Sequence, residues 1–162
     1  MTIQGLINRL EKIDVYAIAF DILKNYEDDL IYAQKNQLAA GQDLSGELMK
    51  PTILEDPYFE GDRKKAENWI KRKKQPPSDF GNKPPEVANL IYSTGDMIWR
   101  QIIVKYTGKK IHLGIAPEMD IQEELEQKYG DLFGLNPKGL NYIYKAFFIN
   151  RFCEEFVKQL FG

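Results

Sequence analysis

One cysteine and one histidine are all that 162 residues offer of the two commonest zinc ligands. Cys153 has no partner for an internal disulfide, which points to a reducing compartment. With His112 as the sole imidazole, a His/Cys zinc site is excluded. Long hydrophobic runs are lacking as well, and none approaches the roughly 20 apolar residues of a membrane span. Met1 to Leu10 has neither the charged start nor the apolar centre of a signal peptide. A glycine-rich phosphate loop is absent: Ser93-Thr94-Gly95-Asp96 lacks the second glycine and the lysine, and no helix follows Gly108-Lys109. Nor is one sign of charge dominant. A net charge of −2 excludes a globally basic, histone-like binder and leaves room for a local patch.

What is present is a globular composition, 43% hydrophobic and 28% charged, over a length that suits a single domain, 1–162, with a real core. Residues 2–12 fit a short helix or arm. Asp14 is a ready N-cap, and Val15, Ile18, Ala19, Ile22, Leu23, Tyr26 and Leu30 form a helical stripe. The spacing predicts one long helix to Ala40, stopped by Gly41. Asp43-Leu44-Ser45-Gly46 reads as a turn, Leu48-Met49 as a short strand, and Pro51 and Pro57 bar a longer element. Gly61 to Lys74 is compatible with a helix facing inward through Ala66, Trp69 and Ile70, and Pro76-Pro77 ends it. Residues 60–85 together read as a charged, Pro-rich mobile insertion. Two strands are expected at about 98–106 and 110–116, joined by Thr107-Gly108-Lys109 as a hairpin. Met119 to Tyr129 reads as a helix closed by Gly130. Asn136-Pro137 then opens a final helix that is apolar over more than half its circumference, from Leu140 to Phe161. The predicted class is α+β, with a long N-terminal helix, a small antiparallel sheet with a central hairpin, and a C-terminal helix packed on the sheet.

Candidate chemistry is sparse. His112 on the polar face of a strand reads as a surface residue, and Cys153 beside Phe152 and Phe156 as a buried, inert thiol. The carboxylate runs Asp28-Asp29, Glu55-Asp56, Glu123-Glu124-Glu126 and Glu154-Glu155 hold sequence neighbours, which diverge on a helix, so a solvated face is the default reading. A two-metal nuclease would have to be assembled from distant members. No catalytic residue, metal or cofactor is assigned, and the chain is not expected to be an enzyme. The basic cluster carries more information. Arg63, Lys64, Lys65, Lys71, Arg72, Lys73, Lys74 and Lys83 face four acids, giving the segment +4 and the remainder −6. Trp69 and Phe80 stand beside these charges. Such a patch suits phosphates with a stacking tryptophan, an acidic face of a neighbouring subunit, or plain solvation. The terminal helix, with Phe147, Phe148, Phe152, Phe156 and Phe161, is too apolar for a lone surface and suggests subunit contacts.

Three short segments carry a family resemblance. Leu90-Ile91-Tyr92-Ser93-Thr94-Gly95-Asp96-Met97 looks like a Leu-x-x-Thr-Gly-x-Leu/Met motif with one residue more between Leu90 and Thr94. Gln37 to Gly46 has the form of a Gly-x-Asp-x-x-Gly turn after a first helix, and Lys128 to Leu135 precedes the last helix. In this order they resemble the tail-completion and head–tail joining proteins of tailed bacteriophages, the virion-morphogenesis group. Ile98-Trp99-Arg100 departs from the basic or serine-rich continuation usual after that motif. The resemblance implies a structural virion protein of a phage or prophage, assembled in the bacterial host cytoplasm. It would form part of a ring at the neck or tail terminus, in contact with its own copies and with portal, adaptor or tail-tube proteins, and with no membrane partner. It makes Thr94 and Gly95 a fold-marker turn. The alternative is a nucleic-acid-binding accessory protein that uses the 60–85 segment.

Overall fold

The computed structural model describes residues 2–73, 75, 77–88, 90 and 101–162. Among these, α1 (Ile3–Leu10), α2 (Val15–Lys24), α3 (Glu27–Ala39) and α4 (Arg63–Arg72) precede a hairpin of β1 (Ile102–Thr107) and β2 (Lys110–Ile115). α5 (Gln122–Tyr129) follows. α6 (Pro137–Ile143) then runs through a π turn at Tyr144–Phe148 into α7 (Ile149–Phe161). The class is α+β, as expected. Thr94 and Gly95, Lys74, Pro76 and the first part of the strand expected from residue 98 lie outside the described residues.

The long helix expected from Asp14 to Ala40 is two helices. Asp14 caps α2 through the Ala17 amide at 2.9 Å, as its position suggested. At the far end the Asn25 side chain donates to the Asp21 carbonyl at 2.9 Å, and the Asn25 and Tyr26 amides bond only three residues back. Glu27, Asp28 and Asp29 fill the first turn of α3, where the helix dipole favours negative charge. Tyr26 leaves helical geometry at the break and stacks flat on Phe147, with ring centres 3.8 Å apart. The apolar stripe reads through this corner because Ile18, Ile22 and Leu30 all enter the same core. Leu48 makes only an isolated bridge to Gln42, so the short strand expected there does not form.

The hairpin pairs Ile102 with Ile115, Val104 with Leu113 and Tyr106 with Ile111 on one face, and Lys105 with His112 on the other. That is the predicted alternation. Gly108 takes φ +59° as the first of two loop residues, as a type II′ turn requires. Both strands and α6 pack against α3, while α7 packs against α2 and α1. The terminal helix therefore rests on helices, which corrects the expectation that it covers the sheet. α3 supplies residues to two core clusters. Leu38 and Ala39 meet Ile102 and Ile115 in one, while Leu30 and Ala33 meet Ile143 and Phe147 in the other.

α3 also carries three buried amide side chains, and these hold the irregular segments in place. Gln34 donates to the Leu132 carbonyl at 3.0 Å and accepts from the Gly134 amide at 2.7 Å. Gln37 accepts from the Asn136 amide at 2.8 Å and donates to the Asp43 carbonyl at 3.3 Å. Asn36 accepts from the Asp79 amide at 2.7 Å, and its own carbonyl takes the Ser78 hydroxyl at 2.8 Å. Asn136 in turn caps α6 through the Lys138 and Gly139 amides and donates to Gln42. The segments Gln37 to Gly46 and Lys128 to Leu135 thus meet, joined further by the Leu44 amide on the Asp131 carbonyl at 2.9 Å. Leaving a buried donor unpaired costs about 1–3 kcal/mol. Gln37→Ala strands the Asn136 amide and is expected to lower unfolding stability by about 2 kcal/mol, read as a lower urea midpoint at unchanged m-value. An unchanged midpoint would show that the clamp is dispensable.

Candidate functional site

The expected aromatic interface is mostly internal. Phe147 is buried, and Phe148, Phe152 and Phe156 are half-buried against the second core cluster. Their rings run along one helix face, Phe148 to Phe152 at 5.6 Å and Phe152 to Phe156 at 6.0 Å. Phe161 alone of the five is exposed, at 58%. The physical reason is the packing of α7 on α1 and α2, which gives this stripe an intramolecular partner. The neighbouring stripe is left outside and carries Cys153 and Val157 as well as Phe161. Cys153 is therefore exposed, which corrects the expectation of a buried thiol. A thiol reagent such as 5,5′-dithiobis(2-nitrobenzoate) is expected to titrate it fully in native buffer. A thiol silent until denaturant is added would contradict its place on α7.

α1 has the same outward character. Its apolar residues Ile3, Ile7 and Leu10 follow helical spacing, yet all three are exposed and no residue of the helix is buried. The Arg9 guanidinium donates to the Leu160 carbonyl at 3.0 Å, tying α1 to the last turn of α7.

The basic segment divides. On α4, which Asp62 caps through the Lys65 amide, Lys64, Lys65, Lys71 and Arg72 are exposed and Arg63 pairs with Glu67 at 2.9 Å. Phe80 does not stand beside these charges. It is buried among Ala33, Ile143 and Phe147, and the Lys138 ammonium donates to its carbonyl. Lys83 is buried too, and passes Gly41, where a Cβ would meet its Cδ at 2.7 Å. Lys73 turns inward from the end of α4. The two ammoniums converge on one acceptor, the Val87 carbonyl, at 2.7 Å from Lys73 and 2.8 Å from Lys83. Burial, and then the charge of Lys83 beside it, pushes Lys73 down to about 7, and burial also lowers Lys83. Nothing in the sequence set Lys83 apart, since it sits among prolines in what reads as an exposed loop.

Lys73 lines a cavity of about 370 Å³ between the 53–59 segment, α4 and α5. Tyr58, Phe59, Trp69 and Tyr129 supply its aromatic walls, and Leu90 and Leu125 its apolar ones. Phe59 and Trp69 lie 6.3 Å apart at 57°. Asp56 caps the turn at Pro57–Phe59 through the Tyr58 amide at 3.0 Å and pairs with Lys128 of α5 at 2.7 Å, so one carboxylate fixes both walls. Such a space can hold an apolar ring body, with an amine at one wall that exchanges its proton near neutral pH. Among the described residues, no group of three or more His, Cys, Asp or Glu side chains converges as metal ligands, and no helix is long and apolar enough to cross a membrane. His112 is exposed on β2.

Compared with protein-family models, curated proteins and solved structures, the chain matches none.

The lysine pair sets a pH dependence. Between about pH 7, where folded Lys73 loses its proton, and 10.5, the ordinary value of a lysine, the unfolded chain holds a proton that the folded chain has released. Stability therefore rises with pH across this window. Lys73→Met is expected to flatten that rise, measured as urea midpoints from pH 7 to 10. An unchanged slope would show that Lys73 keeps its proton in the fold.

Proposed function

We propose that the chain is a structural assembly subunit that works through contacts between copies, of the neck or tail-completion type found in tailed phages and prophages, with the virion as its destination. The observation that carries this reading is the outward apolar face of α1 and the last turns of α7. An eight-residue helix is too short to hold itself together in water. α1 nevertheless turns Ile3, Ile7 and Leu10 to solvent, and Val157 and Phe161 of the helix tied to it do the same. A second copy would cover that stripe, and a patch that meets a different surface on the next copy generates a ring when the rotation closes. The three segments that resemble the phage proteins fit such a role. Two of them are engaged through Gln37, Asp131 and Asn136 in holding loops together rather than in presenting side chains to a substrate. No catalytic step is assigned.

A second reading has its own observation. α4 shows five exposed cations, Arg63 among them paired with Glu67, and carries Trp69 on the same helix, which suits a phosphate backbone and a stacked base. Salt-dependent binding to short DNA, lost in Lys64→Glu/Lys71→Glu, separates it from the assembly reading.

For the assembly reading, mass in solution is expected to rise with concentration, with rings in negative-stain images. Ile7→Glu/Phe161→Glu is expected to raise the dissociation midpoint at least tenfold without loss of fold. A strict monomer at every concentration, in wild type and variant alike, would contradict it.

A further inference from the structure

The cavity beside Lys73 shares no residue with the outward face of α1, and its chemistry is of another kind. We propose that it is a binding site for a small aromatic monoanion, a carboxylate or sulfonate on a one- or two-ring body, whose charge is met by the Lys73 ammonium.

The size comes first. At about 370 Å³ the cavity is at the small end of the roughly 300–1,000 Å³ typical of ligand sites. Its walls are rings held in different planes: Tyr58 stands edge-on to Phe59 at 87°, and Phe59 is tilted to Trp69 at 57°. Aromatic rings so placed favour a flat guest by stacking and edge contacts.

The sign of the guest follows from the cations. Lys73 and Lys83 spend both ammoniums on the single Val87 carbonyl, and among the described residues no carboxylate stands within ion-pairing distance of either. Among the described residues the two amines share one neutral acceptor, and Glu86 acts on them only at longer range. The other described charges lining the cavity are engaged elsewhere or face solvent. Asp56 is held by Lys128 at 2.7 Å, and Glu124 is exposed on α5. An anion lying against the rings with its charged end at Lys73 provides a partner of opposite charge at a half-buried position, where an ionic hydrogen bond is stronger than in water. Because that anion favours the charged amine, Lys73 takes up a proton on binding above about pH 7. Asp56, Glu124, Lys128 and Tyr129 also line the cavity. Against the lowering effect of burial, Lys128 is raised by its bond to Asp56, and Tyr129 is raised by burial, both away from the neutral range, so the uptake is assigned to the lysine pair.

Isothermal titration with 2-naphthoate and its uncharged relative 2-naphthamide tests this on the intact chain. Wild type is expected to bind naphthoate at least tenfold more tightly than naphthamide. In buffers of different ionisation heat at pH 8, naphthoate binding is expected to show uptake of a fraction of a proton. Lys73→Met is expected to abolish the preference, Trp69→Leu to weaken both ligands, and Lys64→Met, an exposed cation on the same helix, to change neither. Equal affinity for the two ligands, no proton uptake, or the same loss in Lys64→Met as in Lys73→Met would overturn the proposal. So would the absence of naphthoate binding at millimolar concentration. The two wild-type measurements decide the matter even where a variant fails to fold.

Discussion

The buried amides of α3 are the constraint on which the rest of the molecule depends. Gln34 and Gln37 are fully enclosed, and each spends both ends of its amide on backbone outside α3. A buried amide left unpaired is costly, so the connector from Leu132 to Asn136 and the turn at Asp43 have one place to lie. Asn36 does the same for Ser78 and Asp79. α3 is thus both an apolar strut between two core clusters and a polar template for three loops. The break at Asn25 makes this possible: it frees α3 from the direction of α2, and Tyr26 locks the corner on Phe147.

From that frame follow the two surfaces with functional promise. α6 packs on α3, the π turn carries Phe147 to Tyr26, and α7 then lies along α2 and α1. Its aromatic stripe is consumed inside, and what remains outside is the flank with Cys153, Val157 and Phe161 beside the open face of α1. On another side, Ser78 and Asp79 are pinned to α3, which draws the chain inward so that Phe80 and Lys83 are buried. Lys83 then meets Lys73 at Val87, behind the aromatic cavity. The two sites differ in kind: one is an apolar stripe suited to another protein surface, the other a small aromatic-walled cavity beside two lysines that share one carbonyl.

Much of the fold was legible in the sequence because it obeys local rules. Asp14 and Asn136 are caps, Gly108 makes the hairpin turn, Gly130 ends α5, and the alternation from Ile102 to Ile115 gives the sheet its two faces. The misreadings have one cause. Periodicity tells which side of a helix is apolar but not what covers it. The phenylalanines of the last helix thus read as an interface although four of them pack into one core cluster with Ile18, Ile22 and Leu30, and Cys153 read as buried although it stands one step round the helix from Phe152. Residue type misled in the other direction for Gln34, Gln37 and Lys83. They are polar residues whose burial depends on partners roughly a hundred residues away for the glutamines, and on a glycine gap at Gly41 for the lysine. Tyr26 read as one more member of a continuous stripe because both helices feed the same core.

Self-association through α1 and α7 is most directly tested by amide hydrogen exchange followed as a function of protein concentration. The outward stripe predicts that amides of Ile3–Leu10 and of 157–161 gain protection as concentration rises, while those of α3, already enclosed within one copy, keep the same protection throughout. Protection that is independent of concentration along α1 and α7, or that rises elsewhere while these two helices stay open, would contradict it.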